Sequence, residues 1–378
     1  MNKITIVTTT IRVPVVLESY IENFQKYEHN DVDFVIIGDL KTPSKITEYL
    51  RKISKIGYQI DYWDVNRQKK WLEQFPDLEN LIPYNCVQRR NLGYLIAYQN
   101  DADVIVTIDD DNFAVPEEDF IKGHGIVGKT SSFLAVKSST NWFNPCDLLE
   151  IRPSRRIYHR GFPYLKRWQN EKYSYEERKG RVVVNAGLWL GNPDVDAVTH
   201  LEEPVEVVGW KEDFNQQYQQ RVALANSTYS PFNTQNMAFF KELLPCAYLP
   251  VMGDSIDGMK IDRYDDIWSS YFAEKIIKHL GDFVTFGQPL VRQDRNPHDY
   301  LRDLTGELPG MILTDKLIRT LERIELSENS YFDCYHELIE KLRVEICKSA
   351  TYTYSEKAYF LKLTDGMSVW QNVVEQIL

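Results

Sequence analysis

The sequence predicts an α/β fold, with a sheet that starts parallel and a helical region at the C-terminal end. Three observations carry this. Between residues 3 and 108 short apolar runs alternate with helical patterns, as parallel strands joined by crossover helices do. The last of these runs stops at three consecutive carboxylates. From Thr314 onward, Leu317, Ile318, Leu321 and Ile324 recur at helical spacing, as do Leu338, Ile339, Leu342 and Ile346.

In chain order, residues 3–9 read as a first buried strand. Residues 16–27 carry Val16, Leu17, Tyr20, Ile21 and Phe24 at helical spacing. A second strand runs from Asp33 to Ile37 and ends at Gly38-Asp39. A helix follows, with Ser44 as its expected N-cap. Residues 58–62 are a third strand, 84–99 a helix and 103–108 a fourth strand. Residues 112–310 have mixed character, with short strands and long polar connections. The division expected is a core over residues 1–310 and a helical region over residues 311–378.

Composition bounds the function. The chain has 378 residues, 43% of them hydrophobic and 26% charged, the balance of an ordinary globular protein. The formal net charge of −11 argues against general nucleic-acid binding, because neutralising phosphates needs a cationic surface. Five cysteines at wide spacing, without a CxxC, argue against a disulfide framework and fit a reducing, cytoplasmic setting. No run approaches 18 apolar residues, so no membrane span is expected. Neither GxGxxG after the first strand nor GxxxxGK[ST] occurs.

The strongest chemical signal is Val104-Ile-Val-Thr-Ile-Asp109-Asp110-Asp111-Asn112. Ligands of open α/β sheets bind at the carboxyl ends of strands, and adjacent acids repel unless a cation neutralises them. In extended chain Asp109 and Asp111 share a face, while Asp110 points away. Hard oxygen ligands suit Mn²⁺ or Mg²⁺, with a diphosphate completing the shell. A solvated acidic turn uses the same letters, but its placement after an apolar strand favours the ligand reading. The string resembles the carboxylate signature of nucleotide-sugar transferases with the GT-A architecture.

Three further segments stand out. Asp265 and Asp266 open a helical stretch; they cap it and complement its dipole, or face a sugar as catalytic acids. Gly187 and Trp189 lie in a strand-like segment where glycine permits a close backbone approach to a ligand, although a core strand ending at a turn looks the same. Arg160, between His159 and Gly161, has the fork that clamps phosphate bidentately. On the nucleotide side, Thr8, Thr10 and Arg12 follow the first strand and Asp39 the second. Arg89 and Arg90 open the helix before the acidic strand, as cations for the diphosphate or as an exposed face.

Together these segments resemble the reversibly glycosylated polypeptides, which include the plant UDP-arabinopyranose mutases. The family's TIDDDC matches Thr107-Ile-Asp-Asp-Asp-Asn112, and its GRYDDMWAG matches Asp262-Arg-Tyr-Asp-Asp-Ile-Trp-Ser-Ser270. Its GLWLNIPDYDAPTQL matches Gly187-Leu-Trp-Leu-Gly-Asn-Pro-Asp-Val-Asp-Ala-Val-Thr-His-Leu201, and its VRGYPFS matches His159-Arg-Gly-Phe-Pro-Tyr-Leu165. The resemblance runs from about Ile4 to about Leu308. It implies a GT-A-like fold, a UDP-sugar substrate, a divalent cation and a glycosyl group carried on the enzyme at Arg160. Asp265 or Asp266 would then accept the proton of Arg160, and Asp110, Gly187 and Trp189 would join the nucleotide-sugar site. Where plant members have WHSKASNP, this chain has Val291 at the position of the histidine, so His298 or Asp294 is the expected substitute beside Asp109 and Asp111. The expected function is a nucleotide-sugar mutase or self-glycosylating transferase. The alternatives are a conventional transferase with a separate acceptor and a catalytically silent, self-glycosylating subunit. The helical tail offers a surface for a homo-oligomer.

Overall fold

The computed structural model describes residues 2–211, 221–294 and 299–378. The first half alternates strand and helix: β1 (Ile4–Thr10), α1 (Val16–Lys26), β2 (Val32–Gly38), α2 (Ile46–Ser54), β3 (Ile60–Trp63), α3 (Val65–Leu72), α4 (Pro76–Leu81), α5 (Arg90–Gln99) and β4 (Val104–Ile108). The middle adds β5 (Asn112–Ala114), α6 (Phe120–His124), β6 (Thr130–Ser138), β7 (Leu149–Arg152), β8 (Tyr173–Gly191), α7 (Ala197–Glu202), β9 (Glu206–Trp210), β10 (Arg221–Leu224) and β11 (Asn236–Phe240). A small hairpin, β12 (Ser255–Ile256) and β13 (Met259–Lys260), precedes α8 (Asp265–His279) and β14 (Phe283–Gln293). Three helices end the chain: α9 (Tyr300–Arg323), α10 (Tyr331–Lys348) and α11 (Tyr354–Ile377).

One mixed sheet runs in the order β3-β2-β1-β4-β11-β8-β6-β10-β14-β5, with β14 also pairing β8. Strands β3, β2, β1 and β4 are parallel, and β11 runs antiparallel to both β4 and β8. A parallel half joined through one antiparallel strand to a mixed half is the GT-A-like α/β core that the sequence predicts. Strands β1, β2 and β4 are buried almost throughout, as strands covered on both faces must be, while β3 at the sheet edge is only partly buried.

Several boundaries differ from expectation. Ser44 does not cap α2; Lys45 holds that position without a side-chain cap, and Ser44 supplies only its carbonyl, to Thr47 N (3.3 Å). The helix expected from residue 84 starts as a 3₁₀ turn at Val87, because Asn85 sits at φ +56° and cannot continue a helix backwards. The connections expected between residues 112 and 310 contain the 19-residue strand β8. Its first half, Tyr-Ser-Tyr-Glu-Glu-Arg-Lys-Gly, pairs residue for residue with β6.

The terminal helices are built into the core. Helix α9 begins well before Thr314 and runs through Pro309. Trp268 of α8 donates Nε1–H to Thr314 Oγ1 (2.9 Å), and Trp370 of α11 donates Nε1–H to the Pro245 carbonyl (3.1 Å). Leu313, Leu317 and Trp370 belong to the same apolar cluster as Ile6 and Val106. Among the described residues, no helix is long and apolar enough to cross a membrane.

Candidate functional site

The sheet brings its strand ends to one edge. Strands β1, β2 and β4 run together, so Thr10, Gly38 and Ile108 end there. Strands β8 and β14 run parallel to each other and end at the same edge, with Gly191 beside Gln293. The antiparallel strand β11 starts there, which sets Asn233, Thr234 and Gln235 over the end of β4. The resulting cavity, of about 230 Å³, is lined by Asp109, Asp111, Arg160, Asp194, Thr234, Gln235, Arg263, Asp265, Asp266, Gln293 and Val87.

Arg160 is its most completely bonded side chain. Nε and Nη2 donate to the two oxygens of Asp194 (2.8 and 3.0 Å). Nη1 and Nη2 donate to the two oxygens of Asp266 (3.1 and 2.8 Å), and Nη1 donates to the Arg263 carbonyl. All five guanidinium N–H groups therefore have acceptors in the plane. The backbone fixes this geometry. Arg160 N donates to the Asp194 carbonyl (2.9 Å), and His159 bridges to Val195. Gly161 sits at φ +81°, and a Cβ there would lie 2.2 Å from Ile267 Cγ2, so only glycine lets the turn reach α8. Burial works against the charge on Arg160. Asp194 and Asp266 more than offset it and hold its pKa well above the ordinary arginine value.

The acid run divides as expected, but it lies on a turn rather than in extended chain: Asn112 N donates to the Asp109 carbonyl (3.3 Å). Asp109 and Asp111 line the cavity, while Asp110 accepts from Thr10 Oγ1 (2.7 Å) and lies 3.8 Å from Arg12 Nε. Burial raises the Asp110 pKa against the pull of those partners. Asp109 accepts from Arg90 Nη2 (2.5 Å). Arg90 is therefore neither a direct diphosphate cation nor an exposed residue. It is 1% exposed and also bonds the Thr234 carbonyl and hydroxyl. Arg89 departs further from expectation. It is equally buried, donates Nε (2.8 Å) and Nη2 (2.5 Å) to Gln68 Oε1, and stacks over Tyr84. Gln68 in turn bonds the carbonyls of Gly38 and Trp63, so Arg89 braces the sheet edge from behind.

Thr8 is fully buried within β1 and is not brought to the cavity. Asp39 accepts from the Leu40 and Asn85 amides (2.7 Å each), holding together the loops after β2 and before α5. Gly187 makes room for a side chain of the protein, not for a ligand: a Cβ there would lie 2.3 Å from Asn236 Nδ2. Trp189 is buried with its ring edge against His159.

Asp265 and Asp266 open α8. Burial, and then the neighbouring Asp266, push the Asp265 carboxyl up to about 7, against the pull of Arg160 and a hydrogen bond from Gln88. Five carboxyl and two guanidinium groups line the cavity, a balance that favours a cation. Asp109 and Asp111 offer hard oxygen donors for one. Among the described residues no group of three or more His, Cys, Asp or Glu side chains is gathered as a metal shell; two carboxylates alone would leave a divalent ion to take its other ligands from elsewhere. Asp294 N donates to the Asp111 carbonyl (3.3 Å), which sets the residue after β14 beside the acid run. His298 lies outside the described residues.

Sequence reasoning missed Asp194, Arg263 and Glu307. Glu307 reaches in from α9: its Oε2 accepts from Ala197 N (2.7 Å) and its Oε1 from Arg263 Nε (2.8 Å). It thereby ties the segment carrying Asp194 to the segment carrying Asp266. Glu307→Ala leaves both donors unpaired around a 1% exposed site. It is expected to cost about 3 kcal/mol of stability, read from the urea midpoint, with Glu307→Gln losing less. An unchanged midpoint in the alanine variant would show that the tie carries no energy.

UDP-arabinopyranose mutase 3 of Arabidopsis thaliana is 26% identical over 381 residues, covering 100% of this chain and 92% of its own. The probable UDP-arabinopyranose mutase 2 of Solanum tuberosum is 27% identical over 373 residues, covering 98% and 89%. Among solved structures, glucosyl-3-phosphoglycerate synthase from Mycobacterium tuberculosis, in complex with Mn²⁺ and UDP-glucose, superposes with a TM-score of 0.39 at 12% identity, over 83% of this chain and 78% of that one. A mannosyltransferase from Pyrobaculum calidifontis, in complex with GDP-Man and Mn²⁺, also gives 0.39, at 9% identity over 98% and 86%. These scores leave the chemistry to be argued from the site itself. The family described as reversibly glycosylated polypeptide matches residues 1–377, and with that match over nearly the whole length the chain belongs to the reversibly glycosylated polypeptide family.

Proposed function

We propose that this protein is a UDP-sugar mutase that interconverts pyranose and furanose forms through a glycosyl group carried on Arg160. The observation that carries the reading is the clamp on Arg160, a guanidinium gripped by Asp194 and Asp266 in the same cavity as Asp109 and Asp111. A protonated guanidinium offers no in-plane lone pair. With its in-plane positions taken, a bond to a terminal nitrogen forms perpendicular to the plane. The C1–O bond to the diphosphate breaks, its electron pair leaves with UDP, and an N–H proton passes to the Asp266 carboxylate. A divalent cation held by Asp109 and Asp111 would supply charge stabilisation for the departing diphosphate. Thr10, Arg12, Asp110 and Asp39, at the ends of β1, β4 and β2, serve the nucleotide side, and the names of the relatives make UDP-arabinopyranose the first substrate to try.

The test is intact mass and product analysis after incubation with UDP-arabinopyranose and Mn²⁺. A glycosyl adduct together with a ring-isomerised nucleotide sugar is expected. A stable adduct without isomerised product would instead indicate a silent subunit. Turnover to an added acceptor with no adduct would indicate a conventional transferase.

Asp39 offers a second check. Asp39→Ala removes the carboxylate that accepts from the Leu40 and Asn85 amides of the nucleotide loops. It is expected to weaken UDP binding about tenfold, or ~1.4 kcal/mol, by calorimetry. Equal affinity in the variant would take Asp39 out of the nucleotide pocket.

A further inference from the structure

We propose that Asp265 is the acid–base group that opens and recloses the sugar ring while the sugar is attached to Arg160. The inference rests on the mutase reading above and assigns a step that glycosylation of Arg160 alone does not supply. A pyranose and a furanose differ in which oxygen closes the ring on C1. Exchanging them needs the C1–O5 bond to break, and an unprotonated O5 would leave as an alkoxide. A second proton must move when O4 closes on C1. Something in the cavity has to give one proton and take one back.

The geometry sorts the lining carboxyls by task. Asp194 and Asp266 each meet Arg160 through both oxygens. Asp109 is paired with Arg90, and with Asp111 it offers the hard oxygens for a cation. With Asp194 and Asp266 on Arg160, and Asp109 and Asp111 assigned to the cation, Asp265 is the lining carboxyl left for proton transfer. It is 4% exposed, fixed at the first position of α8, and held by a hydrogen bond from Gln88. It stands one residue from Asp266, on the helix that presents both to the cavity. Its raised pKa, caused first by burial, is that of a group able both to give and to take a proton near neutral pH.

The step balances. After Arg160 has lost its proton to Asp266, the nitrogen pair forms a C1=N bond. The C1–O5 bond breaks with its electron pair on O5, and the Asp265 carboxyl delivers its proton there. Closure then runs at the neighbouring hydroxyl. The Asp265 carboxylate takes the O4 proton, O4 bonds to C1, and the C=N pair returns to nitrogen. Asp265 ends as it began, so one carboxyl serves both halves.

The experiment separates adduct formation from ring exchange in the full-length protein, using radiolabelled UDP-arabinopyranose with Mn²⁺. Acid quench followed by intact mass reads the adduct, and chromatography of the nucleotide sugars reads the isomer. Asp265→Asn is expected still to form the adduct, and the quantity read is the ratio of conversion to adduct formation. Its conversion to the furanose is expected to fall by about 10³. Asp265→Glu should recover part of the conversion, which a purely structural role would not give. Asp266→Asn should instead lose the adduct itself. Conversion unchanged in Asp265→Asn, or adduct and conversion lost together in both Asp265 variants, would overturn the assignment while leaving the mutase reading intact. Absence of any adduct on the native protein would overturn both.

Discussion

Replacing Arg160 with lysine is expected to abolish the glycosyl adduct and to reduce turnover by at least about 10³. Lysine keeps the charge but presents a compact ammonium with three donors, in place of a planar fork with five. It cannot meet both oxygens of Asp194 and both of Asp266, as Arg160 does. One of two nearly buried carboxylates is then left without its partner, a loss that costs about 3 kcal/mol in stability. The variant must therefore be shown to be folded, by circular dichroism and melting, before its activity is read. A pure phosphate clamp would tolerate lysine in part, since a point charge still attracts a diphosphate. Peptide mapping after incubation with labelled nucleotide sugar separates the two. Label on another residue, or turnover without label, would return Arg160 to the role of clamp.

The second large effect is expected at the acid run. Asp111→Ala should remove the Mn²⁺-dependent binding of UDP-sugar and lower kcat/KM by about 10³, because the cation loses one of its two fixed carboxylates and charge on the leaving diphosphate goes unstabilised. Thermal shift with UDP-sugar, with and without Mn²⁺, reads this directly, since a ligand that binds the folded state raises its melting temperature. Asp109 is the poorer probe. Its carboxylate also neutralises Arg90, 1% exposed behind it, so Asp109→Ala strands a buried cation and is expected to lose about 3–5 kcal/mol of stability as well. Asp109→Asn keeps an acceptor for Arg90 and is the fairer comparison. Full Mn²⁺ dependence surviving in Asp111→Ala would sink the metal assignment.

The contrast between Asp111 and Asp109 shows what a linear reading loses. Both stand at the end of an apolar strand, and both line the cavity while Asp110 turns to Thr10, a division made by the turn from Asp109 to Asn112. Nothing in the spacing says that Arg90, 19 residues earlier, turns inward beneath one of them. Arg89 and Arg90 looked like exposed helix or ligand cations because arginine is rarely buried without a partner. Their partners, Gln68, Thr234 and Asp109, come from three separate elements. Gly187 is similar: the sequence shows that something approaches closely there, but only the antiparallel pairing of β8 with β11 identifies it as Asn236.

The sequence alone determined the parallel half of the sheet, because short apolar runs between helical patterns leave few other folds. It also determined the acid run at a strand end and the segments around Arg160 and Asp265, because these are local strings that read the same wherever they fold. It could not reveal the polar half of β8, which is held by backbone pairing to β6 and carries no hydrophobic alternation. It placed the start of α9 too late, since Gly306, Pro309 and Gly310 break the helical pattern of a helix that packs regardless. Tertiary structure alone decided that Arg160 lies between Asp194 and Asp266, and that Glu307 of α9 ties those two segments together. The reason is physical. A buried charge is tolerated only where acceptors converge on it in three dimensions, and the residues that converge here are 34, 103 and 106 positions from Arg160 in the chain.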